Sequence, residues 1–239
     1  MTKEARLRTI LAAKEGIKAE AKQKAAREGA DTAQANPRAP RIFIDPDARI
    51  MKSADGSFHY CYNAQAVVDE NAQAILLTTL VQDATDVHHL TPMIRATATQ
   101  LKRAGVTHAP RLLLADASYC STANLDATAH GPSELLIATG RQQHGERVTD
   151  SPRGRIPNDA TLRERMARRL RTKSGRANFA RRKAIVEPVF GQTKVRQRAG
   201  QFRLRSLEGA QGEWTLHALC HNLRKLANAS SPGVLTTTQ

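Results

Sequence analysis

The amino-acid sequence predicts a mixed α/β domain, in which a sheet carries helices on its faces. Short runs of β-branched, aromatic or aliphatic residues alternate with stretches of helical periodicity, in the order β-β-β-α-β-α-β. Further helical patterns follow towards the C-terminus. A chain of 239 residues is long enough to bury a sizeable core around such a sheet.

The chain is predicted to divide into three parts. Residues 1–40 are rich in Ala, Lys, Glu and Arg and then in Pro, which indicates a solvated helix and a linker. We interpret this part as the remnant of a region further upstream. Residues 41–228 form the folded domain, and residues 229–239 form a disordered tail.

Three strands are expected first, at Arg41–Asp45, Tyr60–Asp69 and Ala74–Val81. Their β-branched and aromatic content favours strands, and the turn signals between them predict an antiparallel meander. A helix over His89–Arg103 follows, because its apolar residues recur on one face.

Two buried strands come next, because Arg111–Asp116 and Glu134–Thr139 are short apolar runs on either side of a helical segment. The residues from Gly140 to Asp159 lose all periodicity, which predicts a mobile basic loop.

Three helices complete the prediction. They cover Leu162–Arg171, the basic stretch Arg176–Lys194, and Ser206–Leu226, where leucines recur at intervals of three and four. Pro188 disfavours the helical conformation of the residue before it, so a kink or a new helix start is expected there. Trp214, on the last helix, is expected in the core.

The charge of the chain points to a polyanionic partner. There are 37 Lys and Arg residues against 22 Asp and Glu, for a formal net charge of +15. Such a field attracts nucleic acid first and an anionic membrane surface second. No apolar run is long enough to span a membrane and no signal peptide is visible, so a cytoplasmic location is predicted.

The three cysteines, Cys61, Cys120 and Cys220, indicate neither a disulfide framework nor a zinc site, because they are widely spaced and contain no Cys-x-x-Cys pair. They are interpreted as small buried hydrophobic residues.

Three acidic residues could act together, namely Asp45, Asp116 and Glu187. The ends of the first and fourth strands would lie side by side if those strands were neighbours, and a late helix could add the third acid. Converging carboxylates repel one another unless cations are present, and Mg²⁺ or Mn²⁺ suits their oxygens. Two such ions, about 3.5–4 Å apart, would support an in-line phosphoryl transfer. Taken singly, Asp116 could be only a helix cap and Glu187 only a surface ion-pair partner.

Four sequence blocks resemble the catalytic half of bacterial insertion-sequence transposases of the DDE class. They are Asp45–Lys52, Gly56–Asp69, Leu114–Ser121 and Arg181–Lys194. The resemblance implies a ribonuclease-H-like fold, with Asp45, Asp116 and Glu187 as the metal-binding triad. It also implies metal-dependent cleavage of double-stranded transposon-end DNA and strand transfer to target DNA, by a homo-oligomer associated with the bacterial nucleoid.

A second signature surrounds the glutamate. The family has Tyr, Arg, Glu and Lys at set spacings on a helix that contacts the transposon end, and the matching residues here are Phe179, Arg182, Glu187 and Lys194. The aromatic residue therefore lacks a hydroxyl group, and the interval before Glu187 is one residue longer. The resemblance implies DNA contacts from Arg181, Arg182, Lys183, Lys194 and Arg196.

Several alternatives remain open at this point. Asp47 competes with Asp45 as the first acid, because Asp-Pro-Asp is also a common turn sequence. The whole chain could instead be a truncated, inactive DNA-binding remnant of a transposase. An RNA-processing nuclease with the same metal chemistry would differ only in its substrate.

Overall fold

A computed structural model describes residues 2–29, 42–53, 56–140 and 151–230. The chain forms two compact units. Unit 1 comprises Met1–Asn63, Leu80–Ala84 and Phe202–Glu213. Unit 2 comprises Ala64–Thr79, Thr85–Gln201 and Trp214–Gln239.

The helices are α1 Lys3–Glu28, α2 Leu90–Arg103, α3 Thr122–Ala129, α4 Leu162–Leu170, α5 Lys173–Gly191 and α6 Ser206–Ser230. The strands are β1 Arg49–Lys52, β2 Phe58–Cys61, β3 Asn63–Val68, β4 Ile75–Val81, β5 Leu112–Ala115 and β6 Glu134–Ile137. A 3₁₀ turn covers Ala117–Tyr119, and a π-helical turn covers Gln192–Arg196. No helix among the described residues is long and apolar enough to cross a membrane.

The described strands pair two by two. β1 and β2 are antiparallel, with Arg49 opposite Cys61, and β5 and β6 are parallel, with Leu112 opposite Glu134. β3 pairs with β4. The mixed α/β class is therefore confirmed, but these pairings do not give the single sheet in the order β-β-β-α-β-α-β.

The strand predicted at Arg41–Asp45 is wrong over its described residues, 42–45. The Ala48 N–H donates to the Asp45 carbonyl at 3.1 Å and closes a turn. Asp at the first position of a turn and Pro at the second both favour this conformation, and Pro46 has no N–H to offer a sheet. The first strand begins after this turn, at Arg49.

Unit 1 contains the predicted N-terminal helix, α1. Its first turn is capped by the Thr2 hydroxyl, which accepts from the Ala5 N–H at 3.3 Å. An ion pair between Arg49 and Glu20 connects β1 to this helix. The predicted linker, 30–41, lies outside the described residues.

Unit 2 has two apolar clusters. The first joins Leu90 of α2, Ala115 of β5, Leu125 of α3, and Leu135 and Ile137 of β6. The second joins Ile75 of β4, Val189 of α5 and Ala218 of α6, with two β3 residues packed against it. Apolar burial of this kind is the main stabilising contribution in a domain. The first cluster holds β5, the strand before Asp116, and the second holds α5, the helix that carries Glu187.

The α4–α5 segment is helical as predicted, with both starts capped by threonine. Thr161 and Glu164 form a capping box at α4, and the Thr172 hydroxyl accepts from the Gly175 N–H at 3.0 Å. Gly175 is required here, because a Cβ atom would lie against the carbonyl of Arg169. The 141–150 part of the predicted loop lies outside the described residues.

Helix α5 continues through Pro188, so the prediction of a new helix start there is wrong. It passes directly into the π-helical turn, in which the Gln197 N–H donates to the Gln192 carbonyl at 3.3 Å. Lys194 lies in this wider turn, so the helical geometry between Glu187 and Lys194 is not that of a regular α-helix.

Helix α6 has two different faces. Trp214, Ala218 and His221 are buried on one face, which confirms the core position of Trp214. The opposite face exposes the predicted leucines, Leu216, Leu219, Leu223 and Leu226, which are 51% to 63% exposed. Cys220 is also exposed, so its prediction as a buried residue is wrong. The predicted disordered tail is wrong at residues 229 and 230, which belong to α6, and its remainder, from 231 onwards, lies outside the described residues.

Candidate functional site

Asp45 lies in unit 1 and is buried, with 8% of the residue exposed. Its Oδ1 atom accepts two hydrogen bonds, from the Tyr62 hydroxyl at 2.8 Å and from the Ser206 N–H at 3.1 Å. The second donor belongs to the first residue of α6, where an anion also interacts favourably with the helix dipole. Asp45 is therefore held in one orientation by two donors on the same oxygen.

Asp47 also accepts a hydrogen bond from the N-terminal end of α6. Its Oδ2 atom accepts from the Leu207 N–H at 2.9 Å, and its carbonyl accepts from the Gln82 side chain at 2.7 Å. Both acids of the Asp-Pro-Asp turn therefore satisfy N–H groups at the start of α6, which have no partner within the helix itself. The two candidates for the first acid remain equivalent in this respect.

Burial raises the pKa of Tyr62 well above its usual range, and the hydrogen bond to Asp45 adds to the effect. Tyr62 also packs against Phe202, with ring centroids 6.4 Å apart. The phenol therefore stays protonated at neutral pH and remains a donor to Asp45.

Asp116 lies in unit 2, directly after the half-buried strand β5, as predicted. The short strand ends at Ala115, and the Asp116 carboxylate caps the 3₁₀ turn by accepting from the Ala117 N–H through Oδ1. About half of the Asp116 side chain, 53%, is exposed. The turn thus leaves this carboxylate exposed at the end of strand β5.

A buried polar network anchors the same turn from behind. Tyr119, its last residue, donates a hydrogen bond to Gln65. Gln65 is 3% exposed and donates in turn to Asp86 at 2.7 Å. Burial raises the pKa of Tyr119, and the negative charges of Asp86 and Asp116 add to the effect. Tyr119 is therefore a neutral donor, and the position of Asp116 is fixed by its neighbours in the turn.

Arg182 of α5 faces Asp116. Its Nη1 atom lies 3.3 Å from Oδ2 of Asp116, and its guanidinium lies 5.6 Å from the centre of the Phe179 ring. The side chain is 20% exposed, and its Nε atom has no hydrogen-bond partner among the described residues. Phe179 and Arg182, two members of the predicted signature, therefore contact each other, and the Arg182 guanidinium lies against the Asp116 carboxylate.

Glu187 is exposed on the same helix, α5. Its side chain makes no ion pair or hydrogen bond with any other residue in the described ranges. Val189, two residues later, is 1% exposed and belongs to the second apolar cluster. The helix is thus anchored in the core beside an acid that remains open to solvent.

The five basic residues predicted to contact DNA fall into two groups. Arg181 and Arg182 are engaged in ion pairs, with Glu70 and Asp116 respectively. Lys183, Lys194 and Arg196 are exposed. Lys194 also lies 5.8 Å from the centre of the Phe190 ring, which stacks on Trp214.

A small basic cleft adjoins the π-helical turn. Its volume is about 90 Å³, and it is lined by Gln192, Arg196, His221, Arg224, Lys225 and Asn228. Arg224 and Lys225 were not among the predicted DNA-contact residues. Their proximity to Arg196 depends on the packing of α5 and α6, which charge patterning along the chain does not reveal.

Among the residues that the structure describes, no group of three or more His, Cys, Asp or Glu side chains could hold a metal ion. Asp45 belongs to unit 1, whereas Asp116 and Glu187 belong to unit 2. The exposed carboxylates of Asp116 and Glu187 are hard oxygen donors of the type that Mg²⁺ and Mn²⁺ prefer. The Arg182 guanidinium lies against Asp116 and would have to release this carboxylate for it to serve as a metal ligand.

Sequence reasoning missed the residues that support these acids. Tyr62, Gln65 and Asp86 act through contacts distant in the chain, and neither charge nor periodicity marks them. The pair of Arg182 with Asp116 had one available signal, since both belong to blocks that carry the family resemblance.

Comparison with known proteins identifies a family for most of the chain. The family model described as the transposase DDE domain matches residues 31–223. No curated protein sequence and no solved structure matches the chain. Because the family match covers most of the chain, this protein belongs to the transposases that carry the DDE domain.

Proposed function

We propose that this chain cleaves double-stranded DNA at transposon ends and joins those ends to target DNA, using Mg²⁺ or Mn²⁺. The family implies DNA phosphoryl transfer in general. The observation that best supports the finer proposal is Asp116, an exposed carboxylate directly after strand β5, faced by a cation from the helix that carries Glu187.

In this proposal the metal is held by Asp45, Asp116 and Glu187, with Asp47 as the alternative first acid. The support is separate for each acid: a fixed orientation for Asp45, an anchored turn for Asp116, and an exposed position on a core-anchored helix for Glu187. The bound ions would activate the attacking oxygen and stabilise the leaving oxygen of a phosphodiester.

The chain's own basic residues would hold the DNA backbone. Lys183, Lys194 and Arg196 are the exposed members of the predicted set, so we assign them to phosphate contacts. Arg182 contacts Asp116 and would hold this carboxylate until DNA or metal competes for it. A net charge of +15 gives such contacts a strong dependence on salt concentration.

The test replaces Glu187 by Gln, which keeps the size of the side chain and removes its charge. We expect cleavage of a cognate DNA end in Mg²⁺ to be lost while DNA binding is retained. The exposed Glu208→Gln substitution, on α6, is the matched control and should leave cleavage unchanged. Cleavage at the normal rate by Glu187→Gln would contradict the role of this residue. DNA binding without cleavage by the wild-type chain would instead favour the inactive remnant.

We further propose that the chain associates with a second copy of itself, at the bacterial nucleoid. The exposed face of α6 presents apolar side chains in the 3-4-3 spacing of a coiled-coil seam, at Leu216, Leu219, Leu223 and Leu226. Contiguous apolar patches of this kind mark interaction surfaces. The exposed residues beside the seam at Thr215, Cys220 and Ala227 are uncharged, which limits the repulsion between two strongly basic copies there.

Sedimentation of the wild-type chain and of Leu219→Glu/Leu223→Glu tests this association. The double variant should be monomeric at concentrations where the wild type is dimeric. Ile156→Glu, at an exposed apolar residue elsewhere in unit 2, is the control and should remain dimeric. A wild type that stays monomeric at every concentration would exclude a second copy as the partner of this face.

A further inference from the structure

Pro188 leaves a gap in the hydrogen bonding of α5. In an α-helix, each N–H donates to the carbonyl four residues earlier, so the carbonyl of Ala184 would accept from residue 188. Proline has no N–H, yet α5 runs without interruption from Lys173 to Gly191. The Ala184 carbonyl, which therefore has no donor within the helix, lies in the helical turn that contains Glu187.

Gln73, from the turn between β3 and β4, fills this gap. Its Nε2 atom donates to the Ala184 carbonyl at 2.9 Å, across a chain separation of 111 residues. The side chain thus supplies the donor that Pro188 lacks. Both residues belong to unit 2, as does the whole of α5.

Two further polar atoms of Gln73 also form hydrogen bonds. Its carbonyl accepts from Nε2 of the buried His221 at 2.9 Å, and its Oε1 atom accepts from Nζ of Lys225 at 2.7 Å. Its backbone has a positive φ of 55°, which is unusual for a residue with a Cβ atom. Gln73 is therefore held between α5 and α6 in a conformation that its surroundings impose.

We infer that Gln73 is a positioning residue for Glu187. By completing the hydrogen bonding of the Ala184–Pro188 turn, it keeps the helix closed at the point where proline would otherwise let it open. Glu187 then keeps the orientation that the buried Val189 and the rest of α5 define. The effect on DNA cleavage rests on the proposed function, whereas the coupling between Gln73 and Pro188 does not.

A double-mutant cycle between Gln73→Glu and Pro188→Ala tests the inference. Gln73→Glu keeps an oxygen for Lys225 and loses the donor to Ala184. Pro188→Ala restores a backbone N–H that can donate to Ala184 by itself. We expect Gln73→Glu to speed amide exchange in α5 by about tenfold when Pro188 is present, the factor for one hydrogen bond of ordinary strength. In the Pro188→Ala background it should have almost no effect.

Cleavage kinetics provide the second readout. Gln73→Glu should lower kcat by a similar factor without changing the KM for DNA, and Pro188→Ala should restore kcat in the double variant. The exposed Gln100→Glu substitution, on α2, controls for the added negative charge and should change neither quantity. Gln73→Asn adds a variant whose shorter side chain cannot reach Ala184 but which favours positive φ. It should show the same faster exchange.

The outcomes separate the two proposals. If the wild type cleaves no DNA, the proposed function fails, and amide exchange alone still decides the coupling. An equal effect of Gln73→Glu with and without the Pro188→Ala substitution would overturn the inference. Faster exchange in α5 with unchanged kcat would also overturn it, because Gln73 would then stabilise the helix without positioning Glu187.

Discussion

Asp45 and Asp116 are the same residue type in opposite surroundings. Asp45 is 8% exposed and accepts two hydrogen bonds on one oxygen, from Tyr62 and from the start of α6. The Asp116 side chain is 53% exposed, caps a short turn and faces Arg182. Asp45 is therefore tied into the stability of unit 1, whereas Asp116 is anchored through its backbone and leaves its carboxylate open. We therefore expect substitution of Asp45 to lower the stability of the fold more than substitution of Asp116 does. Substitution of Asp116 should lower cleavage activity with little change in stability.

The largest expected effect is on activity at Asp116. Asp116→Asn keeps the cap on the 3₁₀ turn but removes the charge, so cleavage in Mg²⁺ should fall by about a thousandfold, or several kcal/mol of transition-state stabilisation. The midpoint of denaturation should not change. Asp126→Asn, at an exposed acid on α3, is the control for a lost negative charge in unit 2. Full activity in Asp116→Asn would remove this acid from the site.

The next effect is on stability at Asp45. Asp45→Ala leaves the Tyr62 hydroxyl and the Ser206 N–H without their acceptor, which should cost about 1–3 kcal/mol in the free energy of unfolding. Asp116→Ala loses only an exposed ion pair and a short cap, and should cost about 1 kcal/mol or less. Urea denaturation measures both values. Equal losses in the free energy of unfolding would show that the two acids contribute equally to stability and would contradict this prediction.

Asn substitutions at each position distinguish Asp45 from Asp47 as the first metal ligand. Both Asn substitutions keep an oxygen that can accept from the start of α6. If Asp45 is the first metal ligand, Asp45→Asn should lose cleavage while Asp47→Asn keeps it. The reverse result would transfer the role to Asp47.

A smaller effect is expected at Arg182. Its guanidinium lies against Asp116 and over Phe179, so Arg182→Lys should keep the charge but lose the planar contact. We expect Arg182→Lys and Arg182→Gln to lower cleavage by about tenfold, as for the loss of one charge-assisted hydrogen bond. Binding to DNA should change little, in contrast to Lys183→Gln, which should weaken it. A larger loss of DNA binding in Arg182→Gln would assign this residue to phosphate contact instead.

The smallest effect concerns Tyr62 at alkaline pH. Burial and the Asp45 hydrogen bond raise its pKa in the folded chain above the value in the unfolded chain, about 10. The stability that the phenol contributes is therefore complete below pH of about 10 and is lost as the pH rises towards the folded pKa. Tyr62→Phe should be less stable than the wild type at pH 8 by about 1 kcal/mol, and the difference should shrink above pH 10. A constant difference from pH 8 to 11 would show that the hydroxyl does not titrate in this way.

Local pattern predicted the elements better than their pairing. The apolar run at β5 and the acid that follows it were predicted correctly, because a short apolar strand followed by a capping residue is a local signal. The strand predicted at Arg41–Asp45 was wrong, because the turn preference of Asp45-Pro46 outweighs the β propensity before it. The strand pairing depends on contacts distant in the chain, which no local pattern contains.

Helix α5 shows the same limit within one element. Pro188 predicted a kink or a new helix start on local grounds, but the helix continues, with its Ala184 carbonyl accepting from Gln73 and its own Val189 buried in the second apolar cluster. The leucine spacing of α6 correctly predicted a helix, yet its leucines lie on the exposed face, since Trp214, Ala218 and His221 face the core. The periodicity of apolar residues shows that a helix has an apolar face but does not show what that face packs against.

Metal-dependent DNA cleavage by the acids of this chain is what the proposed function requires above all. It is tested most directly by incubating the purified wild-type chain with DNA that carries its own inverted repeats, with Mg²⁺ or Mn²⁺ or with a chelator. We predict cleavage at the repeat ends only when the metal is present, and none by Glu187→Gln under the same conditions. Binding of these ends without cleavage in either metal would contradict the claim.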